Sequence, residues 1–119
     1  MALQKVGLGT VTRVALGTTA TVLTVGSAKT CYIRSIIVHN IDTLNQNTVN
    51  IHIVPNSGGS AGTASSDNQL AQLSVQPTDT YFFELAYPIT LASDNDTIQV
   101  YNSSTTDAVN VLILGDKEA

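Results

Sequence analysis

The chain has 119 residues and a mass of 12.5 kDa, which suits one domain around one core and excludes two. Charged residues make up 12%, and five Lys and Arg within a net charge of −4 cannot neutralise a run of phosphates or an anionic membrane. We therefore expect no nucleic-acid or membrane partner, and the short apolar runs predict a soluble, unprocessed product without a span or signal peptide.

The N-terminal segment has few charges and carries Gly7 and Gly9. We expect residues 1–9 to form an arm that orders only against a neighbouring molecule. Residues 1–17 are assigned to this arm and the first strand, and residues 18–119 to a single β-sandwich domain.

Apolar and polar residues alternate in several short windows after the arm, and no helical stripe is longer than about two turns. Val49, Ile51 and Ile53 point one way while Asn50 and His52 point the other, as in a half-buried strand. The pattern predicts eight or nine strands, at residues 11–16, 18–25, 30–39, 49–53, 69–75, 81–85, 89–91, 98–101 and 109–113.

The stretch 30–39 carries apolar residues on both faces, with Ile33 and Ile37 on one side and Ile36 and Val38 on the other. This is typical of a central strand or of a strand that is covered on both faces. We expect Ile37 to lie in the core, so that replacing it by Asp would unfold the domain.

The connectors contain Gly, Pro, Asn and Asp, and each joins one strand to the next. Residues 55–68 are too poor in large apolar side chains to offset the entropy of ordering, which predicts an exposed, mobile loop. These features indicate an all-β fold, a two-sheet antiparallel β-sandwich of jelly-roll or immunoglobulin-like type, with a closed barrel as the lesser option.

The candidate nucleophile is Cys31, and the candidate general bases are His39 and His52. Cys31 and His39 lie eight residues apart on one predicted strand, roughly 26 Å, so they cannot meet. We interpret Cys31 as a small buried hydrophobe, His39 as a hydrogen-bonding residue at a turn, and His52 as facing solvent or a contact. One cysteine permits no internal disulfide, and we predict no catalytic residue and no cofactor.

Carboxylates and glycines also give no recognisable site. Asp94-Asn95-Asp96 lacks the spacing and distal Glu of a calcium loop, so we interpret it as a β-turn and predict no metal site. Glu84 stands within a strand and is expected to face water or to pair with Arg34 or with a cation of a neighbouring subunit. The aspartates fall in or beside predicted turns, their usual solvated place: Asp42, Asp67, Asp79, Asp94, Asp96, Asp107 and Asp116.

Three segments in order carry a resemblance: residues 29–40, residues 48–55, and residues 96–100 followed by 109–113. They read K-T-C-Y-I-R-S-I-I-V-H-N, T-V-N-I-H-I-V-P, and D-T-I-Q-V with V-N-V-L-I. Over roughly residues 18–115 the chain resembles small all-β virion structural proteins of tailed bacteriophages. The first seventeen residues do not share this resemblance.

The resemblance implies a non-enzymatic capsid cement (decoration) protein on the virion surface, made in the bacterial cytoplasm. It implies a homo-oligomer, a trimer in many members, that contacts the major capsid protein. Low charge with abundant Thr, Ser and Asn suits such neutral interfaces. The candidate interface residues are Val6, Leu8, Val11, Arg13, Tyr81, Phe82 and Glu84, with Phe83 weighed as a further anchor or as core.

Two other functions remain open at this point. One is a tail, baseplate, neck or fibre-base protein of the same fold. The other is a carbohydrate-binding β-sandwich, which needs exposed aromatic platforms from a chain with no Trp, four Tyr and two Phe.

Overall fold

The computed structural model describes residues 3–7, 10–26 and 29–118, and nearly all of their regular structure is β. One 3-10 turn, Ser66–Asn68, precedes the sixth strand. The nine strands in these ranges are β1 (Leu3–Gly7), β2 (Thr12–Val14), β3 (Thr19–Thr24), β4 (Cys31–Asn40), β5 (Asn47–Val54), β6 (Gln69–Val75), β7 (Thr80–Leu91), β8 (Thr97–Asn102) and β9 (Val109–Glu118). The prediction of an all-β chain is confirmed. No helix among the described residues has the length and apolar character needed to cross a membrane.

The strands form two antiparallel sheets that pack as a sandwich. In the first sheet β9 lies between β4 and the two short strands β1 and β2, and β7 forms the far edge; the second sheet has the order β3-β8-β5-β6. The pairs β2–β9, β3–β8, β4–β7 and β5–β6 correspond to one long hairpin rolled over on itself. This is the jelly-roll arrangement, so the structure selects one of the two predicted sandwich types.

The core lies between the sheets and is built almost entirely from β-branched side chains. Ile33, Ile36 and Val38 of β4 face Ile51 and Ile98 of the second sheet, and none of the five is exposed to solvent. Branched side chains are stiff and fit the pleated surface, so they fill this layer with little rotamer entropy to lose.

A β-bulge in β4 changes which residues enter the core. Pairing with both neighbours shifts between Ile33 and Ser35, so the inward side continues through Ile36 and Val38, and Ile37 faces outward. The central position predicted for β4 is confirmed, but the predicted burial of Ile37 is wrong. Ile37 is half-buried on the outer side of a sheet that the described chain covers on one face.

Two other expectations need correction. Residues 81–85 and 89–91 form one strand, β7, whose pairing with β4 skips from Glu84 to Ile89. Pro88 lies in the skipped part, where its missing N–H costs no ladder hydrogen bond. Within the predicted N-terminal arm, Leu3–Gly7 pairs with the end of β9 in the same chain, so this part does not need a neighbouring molecule as its pairing partner.

The loop 55–68 folds back over the outer face of the second sheet. The Gln99 side chain donates to the Gly62 carbonyl at 3.0 Å, and the Asp96 carboxylate accepts from the Asn56 backbone at 2.9 Å. A Cβ on Gly62 would lie 2.5 Å from the Pro55 carbonyl oxygen, so only glycine permits this approach. Much of the loop is exposed as predicted, and these hydrogen bonds connect it to the second sheet.

Candidate interaction surface

Four apolar side chains form a row across the outer face of the first sheet. Ile37 on β4 pairs with Phe82 on β7 and with Leu112 on β9. Val11 directly precedes Thr12, the partner of Val111, so it continues the row beside Leu112. Phe82 is 60% and Val11 59% exposed, whereas Ile37 and Leu112 are half-buried. The strands β7, β4 and β9 and the residue before β2 thus present one apolar stripe, Phe82–Ile37–Leu112–Val11, to the outside.

Polar side chains border this stripe on one side. His39 on β4 pairs in register with Thr80 and with Asn110, and Arg13 on β2 pairs with Asn110. The His39 ring nitrogen Nδ1 lies 2.9 Å from the Thr80 hydroxyl. His39 therefore bonds across two strands and not within a turn, as the sequence had suggested.

The other border contains Glu84, Ser35 and Leu114, which are opposite one another on β7, β4 and β9. Glu84 is exposed. We call the three rows together the outer face: Thr80, His39, Asn110 and Arg13; Phe82, Ile37, Leu112 and Val11; Glu84, Ser35 and Leu114. Two of these side chains carry a formal charge, Arg13 at one corner and Glu84 at the opposite corner.

The ion pairs around this surface differ from the expected one. Arg34 donates from Nε to Asp116 at 2.7 Å and not to Glu84, so of the alternatives for Glu84 the pairing with Arg34 is excluded; Glu84 is exposed, in agreement with the water-facing alternative. Arg13 lies 3.9 Å from Asp107, with 65% of its side chain exposed. A pair this long and this exposed contributes little to stability, so Arg13 can exchange partners at small cost.

The remaining predicted interface residues lie elsewhere or are not described. Tyr81 is opposite Val38, on the inward side of the edge strand β7, and is 41% exposed. Phe83 packs half-buried against the core. Val6 lies in β1 opposite Gly115, and Leu8 falls outside the described residues.

The structure does not bring the possible catalytic residues together. Cys31 begins β4 and is buried, as predicted, whereas His39 lies near the other end of that strand. Burial raises the pKa of the Cys31 thiol, against a smaller opposing effect of Lys117. His52 lies in the other sheet, where it is 6% exposed beneath the loop 55–68, with Nδ1 3.0 Å from the Ser65 carbonyl and from Asn68 Oδ1. Of the two alternatives for His52, the solvent-facing one is wrong because this loop covers the side chain.

Buried asparagines that the sequence did not reveal hold the loops together at one end of the sandwich. The Asn40 amide donates to the carbonyls of Asn45 and Val75 at 3.0 Å, and Asn102 donates to those of Val14 and Asp107 at 3.1 Å. Both side chains are fully buried. They satisfy backbone carbonyls that would otherwise be orphaned as the strands end.

Asp42 belongs to the same end and is 6% exposed, contrary to the expectation of a solvated turn. Its carboxylate accepts hydrogen bonds from the Thr106 hydroxyl, from the Leu44 backbone at 2.9 Å and from the Asn45 backbone at 3.0 Å. These bonds, led by Thr106, lower the pKa of Asp42 to about 2. Asp116, 4% exposed beside Arg34, is a second departure from that expectation.

A shallow depression of about 310 Å³ opens beside this end. Its lining comes from residues 45, 46, 48 and 103–106, which are all hydroxyl or amide residues. An aromatic ring, on which a sugar could stack, is not part of that lining. Asp96 meanwhile closes the turn after β7 and accepts from Ser93 and Asn56, in agreement with the predicted β-turn. In the described part of the chain, no three His, Cys, Asp or Glu residues converge to hold a metal ion.

The chain has little detectable similarity to known proteins. No protein-family model matches the chain, and no curated protein matches its sequence. A chain in a structure of infectious bursal disease virus, Gx strain, aligns over 98% of this chain and 32% of its own length, with 9% identity and a TM-score of 0.48. The protein therefore spans about a third of that viral chain. The strand order, and not this likeness, supports the fold assignment.

Proposed function

We propose that this protein is a non-enzymatic structural component of a virion, and more specifically a cement protein on the head of a tailed bacteriophage. The outer face carries this proposal. Its apolar stripe, from Phe82 to Val11, is bordered by neutral polar side chains, by Leu114 and by two charges. A contiguous exposed apolar surface with a polar rim is typical of protein–protein contact sites.

The fold supports the same function as a scaffold. The jelly roll occurs in capsid proteins and also in lectins, so fold analogy alone does not choose between them. The resemblance of residues 18–115 to phage virion proteins favours the capsid role. In this role the chain adds contacts between shell subunits, and many weak contacts on one particle give a high total avidity.

Purified particles of the encoding virus test the proposal. Cryo-electron microscopy and quantitative mass spectrometry are expected to find many copies on the outside of the head, and the same occupancy on heads without tails. Copies confined to tails would refute the cement role and favour the tail or baseplate alternative. Particles without the protein would refute the structural role altogether.

Variants of the outer face test whether this surface attaches the protein to heads. Phe82→Ser removes the most exposed part of the apolar stripe and is expected to lower retention on isolated heads. Leu44→Ser is the matched control, because Leu44 is 84% exposed on the loop between β4 and β5. Equal retention of both variants would show that the outer face is not the assembly surface.

A further inference from the structure

We infer that the outer face binds a second copy of the same chain around a two-fold axis that passes between Ile37 and Leu112. This inference rests on the proposed function, because it names the partner that the proposed assembly surface binds. The observation behind it is the placement of the two charges. Arg13 and Glu84 stand at diagonally opposite corners of the three rows, whose other side chains carry no formal charge; the Arg34–Asp116 ion pair lies beyond the row that contains Glu84.

The register fixes this diagonal. Glu84 lies level with Ser35, two residues to one side of the apolar stripe, and Arg13 lies level with His39, two residues to the other side. Three strand spacings of about 4.8 Å and four residues of about 3.3 Å separate the corners by roughly 20 Å. The midpoint of this diagonal falls on the apolar stripe, between β4 and β9.

A two-fold axis lying in the face, perpendicular to that diagonal, exchanges the two corners. Each Arg13 then meets the Glu84 of the other copy, so one rotation forms two ion pairs. A face that complements itself in this way is the requirement for an isologous dimer. The rotation sets the two apolar stripes across each other, and the strands cross at nearly right angles, which is one of the two common packings of β-sheets.

The size of the face predicts a reversible dimer. Four strands and three rows span roughly 20 by 20 Å, or about 400 Å² in projection on each copy. Two such faces bury about 800 Å² in total, which is below the roughly 1,200–2,000 Å² of stable interfaces, so the association is expected to be weak and to increase with protein concentration. The pairing differs from the trimer that the sequence resemblance implies.

Sedimentation velocity of the purified chain over a range of concentrations tests this inference. The expected result is a reversible species of twice the 12.5 kDa subunit mass. Arg13→Glu and Glu84→Arg are each expected to weaken it by roughly tenfold or more, because each places like charges opposite each other twice. The double variant Arg13→Glu/Glu84→Arg is expected to restore dimerisation.

Mixing the two single variants is the most direct experiment. Since each variant carries one sign at both corners, equimolar Arg13→Glu and Glu84→Arg are expected to form a heterodimer that is tighter than the homodimer of either variant. Leu44→Ser serves as the control that keeps wild-type association, and circular dichroism verifies that every variant is folded.

Three results would overturn the inference: a monomer at several hundred micromolar, a species of three times the subunit mass, or a heterodimer no tighter than either homodimer. The number of copies on virions is measured in a separate experiment. These results would therefore refute the dimer without refuting the structural role in the virion.

Discussion

Replacing Ile36 and Ile37 separately by alanine tests the bulge that orients β4. The two residues are identical and adjacent, and both changes remove three carbon atoms. Ile36 is fully buried between the sheets, whereas Ile37 is half-buried on the outer face. If the alternation of β4 ran without a shift after Ile33, the two residues would exchange these roles.

The expected costs follow from burial. Burying three carbon atoms contributes about 2.4 kcal/mol of transfer free energy to stability. At Ile36 the cavity left by the substitution raises the expected loss of unfolding free energy to about 4 kcal/mol. For Ile37→Ala, half of this transfer free energy is lost and no enclosed cavity forms, so the expected loss of stability is about 1.2 kcal/mol. A chain of this length has a total stability of roughly 6–18 kcal/mol, so Ile36→Ala removes a large share of it.

Urea unfolding followed by circular dichroism measures both free energies. The experiment is run at low micromolar concentration, so that association through the outer face does not add to the stability of the wild type. Equal m-values would show that the variants change stability and not the extent of unfolding. A larger loss for Ile37→Ala than for Ile36→Ala would refute the bulge and the outward direction of Ile37.

Three further predictions concern other parts of the chain. Gly115→Ala would place a Cβ far inside van der Waals contact with the backbone of Tyr32. It is therefore expected to lower the unfolding free energy, measured in the urea assay, by about 2 kcal/mol or more. An unchanged urea midpoint would contradict this close approach. The lowered pKa of Asp42 means that the unfolded chain binds this proton first, so its contribution is present above about pH 4 and is lost as the pH falls toward 2. Thermal melts from pH 5 to 2 should therefore fall less steeply for Asp42→Asn than for the wild type, and identical slopes would exclude this role. Asn68→Ala removes the group that bridges Ser65, Thr63 and His52, and is expected to speed proteolysis within residues 55–68. The half-buried Asn110→Ala variant, in the other sheet, provides the control, and equal cleavage would show that Asn68 does not hold the loop.

The position of the candidate surface could be predicted from sequence only in part. Val11, Arg13, Phe82 and Glu84 were chosen from the sequence as separate contact residues, and the sheet places all four on one face. Ile37 and Leu112, at the centre of that face, were missed. The pattern of β4 assigned Ile37 to the core, and alternation in β9 marks Leu112 as an outward residue without showing what lies beside it.

The sequence alone determined the all-β character, the strand positions and most of the core. These features depend on period-two alternation and on turn residues, which involve residues only a few positions apart in the chain. The tertiary structure decided what depends on distant partners. Asn102 bonds to Val14 across 88 residues, Arg34 pairs with Asp116 across 82, and the bulge in β4 exists only in its register with β7 and β9. A single extra residue in a strand reverses every side chain beyond it, and the sequence pattern alone does not mark where that residue falls.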